Sequence, residues 1–306
     1  MIDDLTSKII GLKKRHNAVI LAHNYQLGEV QDLADFIGDS LELSLKASQT
    51  KADVIIFCGV YFMAETAKIL NPNKKVIMPD KNAGCPMADM IKADDIKKLK
   101  QENPKAKVVC YVNSSADVKA LSDICCTSAN AAKVVNSIKD ADEIIFIPDK
   151  YLGLYTQTKV KNKKFIFWNG YCPTHFRISP EDVLKAKKLH PDALVLVHPE
   201  CRPETIKAAD EALSTGGMLK FAKESKAKEF IIGTEIGMVY RLQKDNPDKK
   251  FYPVSDRVAC PNMKLTTAEK ILWALEDLKP EITVPKEIAD KARLAIERML
   301  QIGRQD

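Results

Sequence analysis

Short apolar runs alternate with amphipathic stretches along the whole chain, and the alternation falls into three similar groups. Each group opens with a pattern that predicts an amphipathic helix. These helices are expected at Asp4–Arg15, Asp94–Gln101 and Ser179–Leu189. The last begins Ser-Pro-Glu-Asp, a strong start signal with proline in the first turn. A β-type apolar run that ends in a polar residue follows each helix, at Val19–His23, Val108–Tyr111 and Leu194–His198.

Two further apolar runs complete each group. The second runs lie at 53–59, 143–149 and 229–235, and the third runs lie at 74–80, 163–169 and 249–255. Helix-like segments separate the runs, and this alternation predicts a parallel sheet with helices on both faces. We therefore expect an α/β protein of three similar three-layer αβα units with short parallel sheets. The units are expected at residues 1–88, 89–175 and 176–263.

Registered landmarks indicate that the three units are copies of one repeat. A Cys-Pro dipeptide ends each unit, and its cysteines, Cys85, Cys172 and Cys260, lie 87 and 88 residues apart. The polar residue that ends the first strand is followed 17 residues later by a hydroxyl residue at a helix start: Ser40 after His23, Ser128 after Tyr111, and Thr215 after His198. Such periodicity is typical of internal repeats. If a pseudo-threefold axis relates the units, each set of three side chains can converge on it.

A fourth group begins after Cys260 and stops early. Thr266–Glu269 has the pattern of a capping box, a helix follows, and a short run at Glu281 precedes a last predicted helix at Lys286–Leu300. We expect residues 264–306 to pack on the first unit and to close a ring of three.

Composition narrows the class of protein. With 45% hydrophobic and 29% charged residues, the chain reads as an ordinary globular protein. The net charge of +6 is spread out, without a basic run interleaved with aromatics, so nucleic acid is not an expected partner. Neither a secretory signal pattern nor a membrane-length apolar stretch occurs, so we expect a cytoplasmic protein without a membrane span. In a reducing compartment, the eight cysteines favour metal binding or catalysis over disulfides.

The three Cys-Pro sites favour a soft-metal site over a set of small buried apolar side chains. Three thiolates leave zinc with an open position, or leave one iron of a [4Fe–4S] cluster free to act as a Lewis acid. The sequence contains no CxxC pair, so no local motif distinguishes zinc from an iron–sulfur cluster. Of the other cysteines, Cys58 and Cys110 are expected in strand cores, one of Cys125 and Cys126 is expected to be partly exposed, and Cys201 lies outside the ligand set because it lacks the repeat relation.

Polar residues after the strands are the candidates for chemistry, because ligands of open α/β sheets bind at the carboxyl ends of strands. Helix starts with a hydroxyl residue suit anions. We expect Ser40, Ser128 and Thr215 both to cap their helices and to bind anionic groups. We expect His23 and His198 to exchange protons near neutral pH.

A second polar residue stands two positions after each strand-end residue. These are Tyr25, Asn113 and Glu200, and if the backbone stays extended they face the same way as His23, Tyr111 and His198. Glu200 is a candidate base or a contact of an open iron. His175, three residues after Cys172, is a weaker candidate for a substrate contact.

Several motifs occur in a fixed order over essentially the whole chain. They are Leu21–Tyr25 with Gly38–Ser40, Tyr111–Ser114 with Thr127–Asn130, Val197–Cys201 with Ser214–Gly216, and Gly233–Met238. Together they resemble quinolinate synthase, the A-type enzyme family of NAD biosynthesis. The resemblance implies three α/β domains around a pseudo-threefold axis and one [4Fe–4S] cluster on Cys85, Cys172 and Cys260. Some members carry further cysteines close after the third ligand. Here Cys260-Pro-Asn-Met263 stands instead, so no redox switch is expected at that place.

The resemblance also implies a reaction. The family condenses iminoaspartate (iminosuccinate) with dihydroxyacetone phosphate, and quinolinate, phosphate and two waters result. L-aspartate oxidase or aspartate dehydrogenase is the expected source of iminoaspartate. We expect catalytic roles for His23, Tyr25, Tyr111, His198 and Glu200. Substrate contacts are expected from His23, Ser40, Tyr111, Asn113, Ser128, His175, His198, Glu200 and Thr215.

Two other functions fit the same residues. One is a zinc-dependent hydro-lyase that uses the three-cysteine site. The other is a non-enzymatic iron–sulfur sensor of a small anion.

Overall fold

Three parallel four-stranded sheets, one in each predicted unit, form the framework of the described residues. The computed structural model describes residues 2–305. The first sheet contains β1 (Ala18–His23), β2 (Phe36–Gly38), β3 (Val54–Cys58) and β4 (Lys75–Ile77). The second contains β5 (Lys107–Tyr111), β6 (Ile124–Cys126), β7 (Glu143–Ile147) and β8 (Lys164–Phe167). The third contains β9 (Leu194–Val197), β10 (Glu211–Ala212), β11 (Glu229–Gly233) and β12 (Lys250–Pro253).

The same strand order occurs in all three sheets. It is β2-β1-β3-β4 in the first, β6-β5-β7-β8 in the second and β10-β9-β11-β12 in the third. Every pairing in these sheets is parallel. The second apolar run of each unit is almost wholly buried, as expected when helices cover both faces. The predicted α/β class with short parallel sheets is confirmed.

The sequence analysis missed one strand in each unit. β2, β6 and β10 are only two or three residues long and lie directly before the loop that carries the repeated hydroxyl residue. Runs this short show no alternation that could distinguish them from a loop. Each pairs with the first strand of its unit and holds the loop that follows at the carboxyl edge of the sheet.

Helices connect the strands. In chain order they are α1 (Ile2–Arg15), α2 (Gly28–Leu33), α3 (Ser40–Gln49), α4 (Tyr61–Leu70), α5 (Ala93–Glu102), α6 (Ala116–Ala120), α7 (Ala131–Ser137), α8 (Lys150–Lys159), α9 (Pro173–Phe176), α10 (Pro180–Leu189), α11 (Pro203–Lys207), α12 (Thr215–Glu224), α13 (Gly237–Asp245), α14 (Ala268–Asp277) and α15 (Lys286–Ile302). The three predicted leading helices correspond to α1, α5 and α10. Ser179 caps α10 as predicted, and its Oγ accepts the Asp182 N–H at 3.1 Å.

The closing tail contacts two units. Helix α14 packs on α1 of the first unit, and its cap is Thr267 rather than Thr266. The Glu281 run does not form a full strand, but the Ile282 N–H donates to the Val76 carbonyl of β4 at 2.8 Å. Helix α15, expected on the first unit, packs against α6 and β6 of the second unit as well as α4 of the first. The tail therefore ties the first unit to the second.

One apolar cluster extends through all three units. Leu21, Val109 and Phe230, each from a different unit, are fully buried members of it. Smaller clusters fill the outer faces of the first and third sheets. Among residues 2–305, no helix is both long enough and apolar enough to cross a membrane. The shared core brings the carboxyl edges of the three sheets around one cavity.

Candidate active site

A cavity of about 200 Å³ is lined by equivalent residues of the three units. Every residue predicted for the site lies in its wall: His23, Tyr25, Ser40, Cys85, Tyr111, Asn113, Ser128, Cys172, His175, His198, Glu200, Thr215 and Cys260. Their placement together supports the threefold repeat. The chemical role of each residue stays a prediction.

The three Cys-Pro thiols share one local geometry. Cys85, Cys172 and Cys260 are half-buried. Each sulfur receives a backbone hydrogen bond from the residue three positions later, which is Ala88, His175 or Met263. Burial raises the pKa of all three thiols, and these N–H groups oppose the shift. N–H donors aimed at sulfur stabilise the thiolate, which is the form that binds metals.

The remaining cysteines differ from these three because they are buried. Cys58 and Cys110 are fully buried in strands, as expected, and Cys201, which was placed outside the ligand set, is fully buried as well. Cys125 and Cys126 are also fully buried, so the expectation that one of them is partly exposed was wrong. Both lie in β6, which is covered by α15 and α7.

Glu200 lies at the centre of the polar part of the cavity. Its Oε2 accepts a hydrogen bond from His175 Nδ1 at 2.6 Å, and Tyr111 bonds the same carboxylate. Burial opposes ionisation of Glu200, but the interactions with His175 and His198 and the hydrogen bonds from His175 and Tyr111 outweigh it and lower the pKa to about 2. The buried Oε1 has no hydrogen-bond partner among the described residues. The carboxylate is therefore ionised and presents one free oxygen.

His23 and His198 have the same backbone arrangement. The chain turns after each histidine instead of staying extended, and the N–H two residues later donates to the ring Nδ1, at 3.1 Å for Tyr25 and 3.3 Å for Glu200. A neutral ring that accepts at Nδ1 carries its proton on Nε2. The expected extended backbone was wrong, although both members of each pair still line the cavity.

The two histidines are uncharged near neutral pH. Burial lowers the pKa of His23 to about 4 and that of His198 to about 3. The expectation that they titrate near neutral pH was wrong, because a compact cavity removes the water that would solvate an imidazolium. His198 Nε2 lies 3.2 Å from Ser128 Oγ, so a neutral His198 donates to this hydroxyl. The hydroxyl proton of Ser128 is then left for a ligand.

The three hydroxyl residues are not helix caps. The cap of α3 is Asp39, which accepts from Leu41 N and Glu42 N, and the cap of α12 is Ser214. Ser128 lies two residues before Asn130, which precedes α7. The predicted capping role of Ser40, Ser128 and Thr215 was therefore wrong. Asp39 and Ser214 supply the caps of α3 and α12, and none of the three hydroxyls is used as a cap, so they can serve the cavity.

A chain of hydrogen-bonding side chains, Tyr25, Thr234 and His175, lies on the other side of Glu200. The sequence analysis named Tyr25 and His175 but not Thr234. Tyr25 Oη lies 2.6 Å from Thr234 Oγ1, and Thr234 Oγ1 lies 2.8 Å from His175 Nε2. His175 Nδ1 also lies 3.2 Å from Cys172 Sγ. The weak candidate His175 thus contacts more site residues than the sequence suggested. Its position follows from α9, a single turn that begins at Pro173 directly after Cys172.

Sequence reasoning missed two buried acids. Asp149 and Glu235 stand two residues after β7 and β11, and they hold the backbone N–H groups of Cys172 and Cys260. Glu235 accepts from Cys260 N at 3.0 Å and pairs with Lys264 at 3.0 Å. Burial raises the pKa of both acids. The equivalent acidic positions in the aligned repeats were the signal that could have found them.

Comparison with known proteins agrees with the geometry. A family model described as "Quinolinate synthetase A protein" matches residues 7–301. This chain belongs to that family. It is 57% identical over 298 residues to a quinolinate synthase of Dehalococcoides mccartyi (strain CBDB1), covering 97% of this chain and 98% of the relative. It is 54% identical over 302 residues to a quinolinate synthase of Thermodesulfovibrio yellowstonii, with 99% of each chain covered.

Membership of the quinolinate synthase family confirms the resemblance noted in the sequence. The family acts in NAD biosynthesis and works on small molecules, so this chain is an enzyme of that class. Coverage is nearly complete on both sides, so the similarity extends over all three repeats and most of the closing tail.

Proposed function

We propose that this chain condenses iminoaspartate with dihydroxyacetone phosphate to form quinolinate, phosphate and two waters. The observation that carries the proposal is the meeting of three equivalent thiols and three equivalent hydroxyls in one cavity of a quinolinate synthase family member. L-aspartate oxidase or aspartate dehydrogenase is the proposed source of iminoaspartate. The protein is proposed to act in the cytoplasm.

The three Cys-Pro thiols are proposed to hold a [4Fe–4S] cluster. Their fit is supported by the repeated backbone N–H bond to each sulfur and by their partial exposure in the cavity wall. Three protein ligands suit a cluster that, when bound, supplies a Lewis acid at its fourth iron. The chain's own residues then bind the substrates and move protons.

Anion binding is assigned to neutral donors. Both substrates are anionic, whereas the acids Asp39, Glu200 and Glu235 line the cavity. Ser40 and Thr215 stand in the first turns of α3 and α12, where backbone N–H groups and the helix dipole favour negative charge. Ser128 donates its hydroxyl proton because His198 occupies its acceptor side. Asn113 is half-buried, and its buried Oδ1, which has no hydrogen-bond partner among residues 2–305, accepts from an N–H or O–H group of the substrate.

Proton transfer is assigned to the groups around Glu200. The free Oε1 of Glu200 is the proposed base for a substrate C–H or N–H proton. Burial raises the pKa of Tyr25 and Tyr111 well above the ordinary value, so both phenols keep their protons and donate. His175 Nδ1 donates to Glu200, and Thr234 Oγ1 links His175 Nε2 to Tyr25 Oη, so a chain of hydrogen-bonding groups joins Tyr25 to the proposed base.

A mononuclear zinc enzyme is the second candidate. Cys172, His175 and Glu200 offer ligand atoms that all lie within 4.8 Å of one another. Cysteine, histidine and carboxylate are suitable zinc ligands. The 2.6 Å hydrogen bond between His175 and Glu200 occupies the atoms that zinc would use, which favours the cluster.

Metal content and turnover test the proposal together. Anaerobically purified protein is assayed for iron, sulfide and zinc, and for quinolinate formed from the two substrates. We expect iron and sulfide to be lost in C85A and C260A but kept in C201A, the matched control with a buried thiol. A zinc site on Cys172, His175 and Glu200 would survive C85A and C260A and would be lost in H175A.

Glu200→Gln tests the assigned base. We expect it to keep iron and sulfide and to lower quinolinate formation by about 10²–10⁴-fold, the usual contribution of a general base. Unchanged turnover would remove Glu200 from this role. An iron-containing parent protein that forms no quinolinate would point to the small-anion sensor instead.

A further inference from the structure

One short segment contacts the helix-start loops of all three units. Residues 303–305 follow α15 and lie behind the loops that carry Ser40, Ser128 and Thr215. In the first unit Arg304 Nη2 pairs with the carboxylate of Asp39, the cap of α3. In the third unit Arg304 Nη1 lies 3.3 Å from the hydroxyl of Ser214, the cap of α12. A single guanidinium therefore joins two helix caps.

Backbone atoms of the same segment hold the second unit. The Asn130 side chain donates to the Gly303 carbonyl at 3.1 Å, and the Gln305 N–H donates to the Ala129 carbonyl at 2.9 Å. Both contacts lie directly after Ser128. The segment thus fixes residues beside each of the three hydroxyls without itself lining the cavity.

The fit around Arg304 is tight. A Cβ added to Gly216 would lie 2.5 Å from Arg304 Nη1 and 2.7 Å from Asp39 Oδ2. A side chain at this position would force the Arg304 guanidinium or the Asp39 carboxylate to shift, so glycine allows the guanidinium to reach both caps. A planar fork with five N–H donors suits this two-ended contact, which a lysine cannot reproduce.

The charge of Asp39 makes this contact important for binding. Asp39 is nearly buried, lines the cavity and stands next to Ser40. A carboxylate left unpaired there would repel an anionic substrate and would carry its own desolvation cost. Arg304 offsets the charge of Asp39 from outside the cavity and shares its guanidinium with Glu42, whose Oε1 lies 3.4 Å from Nη2.

We propose that Arg304 is a positioning residue that holds the anion-binding loops of the three units in register and offsets the charge of Asp39. The expected kinetic effects rest on the proposed function. Residues 303–305 form a clasp that contacts the three loops. The clasp acts on substrate binding more than on proton transfer, because it touches the loops that bear the hydroxyls and none of the groups around Glu200.

Three variants test the clasp, with iron content and kinetics measured on the holoenzyme. Arg304→Gln removes the charge, Arg304→Lys keeps the charge but not the fork, and Gly216→Ala displaces the guanidinium. Arg298→Gln is the control, because Arg298 lies in the last helical turns before the clasp and donates to the Asp123 carbonyl, away from the three loops. We expect R304Q and G216A to raise KM about tenfold, the effect of one charge-assisted contact, with kcat changed less than about threefold.

Hydrogen exchange provides a readout that does not depend on turnover. In R304Q we expect faster exchange at residues 39–42, 127–131 and 214–217, and in R304K faster exchange at 214–217 alone. R298Q is expected to leave these segments unchanged. Parental KM values in R304Q, parental protection of the three segments in R304Q, or parental protection of 214–217 in R304K would each overturn the inference. A parent protein that makes no quinolinate would refute the proposed function and leave the exchange test standing.

Discussion

Replacing Lys264 by Met is expected to destabilise the folded protein by about 3 kcal/mol. The side chain of Glu235 is fully buried and that of Lys264 is 21% exposed, and their charged atoms lie 3.0 Å apart. At this distance and an effective dielectric constant of about 20, Coulomb's law gives an attraction of about 5.5 kcal/mol. Removing one partner of a buried pair costs about 3–5 kcal/mol. The partial exposure of Lys264 and the two N–H donors that remain on Glu235 place the expected cost at the lower end.

A double-mutant cycle with Glu235→Gln isolates the pair. Urea unfolding of the parent, K264M, E235Q and the double variant is measured in the same cluster-free form, so that loss of metal does not enter. With a slope of about 3 kcal/mol/M, K264M is expected to shift the midpoint by about 1 M. The coupling energy is expected to be about 2 kcal/mol, because the neutral amide introduced by E235Q no longer needs the cation. Additivity of the two single changes within about 0.5 kcal/mol would refute the reasoning.

Two further predictions concern the cavity. Histidine has a pKa of about 6.5 in the unfolded chain, and burial lowers the pKa of His23 to about 4 in the folded protein. Between these values the unfolded chain binds a proton that His23 does not, so the free energy of unfolding falls as the pH decreases through this window. His23→Asn, whose oxygen can accept the Tyr25 N–H, is expected to lose less stability in acid than the parent, and equal acid profiles would contradict this. Thr234→Val is expected to lower kcat about tenfold with iron retained, because it breaks the link between Tyr25 and His175. The matched control is Thr205→Val, which removes a buried bond to the Ile178 carbonyl and should cost about 1 kcal/mol of stability but no turnover.

Repeat spacing explains why much of the site could be predicted. In open parallel sheets the carboxyl end of a strand has a defined environment, so His23, Tyr111 and His198 could be placed at one edge from sequence periodicity. In all three units the N–H three residues after the Cys-Pro cysteine bonds its sulfur, and the spacing alone identified these cysteines. The register of three landmarks carried more information than any single motif.

Other features depend on contacts between residues distant in sequence. The short strand β10 exists because β9 lies beside it, and two residues have no periodicity of their own. Hydroxyl residues at helix starts resemble caps, but Asp39 and Ser214 supply the side chains that accept the N–H groups. The low pKa of His198 results from burial among three units. Sequence patterns report local preferences and cannot report such enclosure.

The three repeats share a backbone plan, but the cavity they enclose is not symmetric. The strand-end positions hold His23, Tyr111 and His198, and Val60 in the first unit stands where the other two units have a buried acid. A cavity with three identical walls would accept a ligand in three equivalent orientations. Unequal side chains on equal backbones remove this degeneracy, so one end of a molecule can be distinguished from the other. Divergence among the copies therefore provides the orientational selectivity that a perfect repeat would lack.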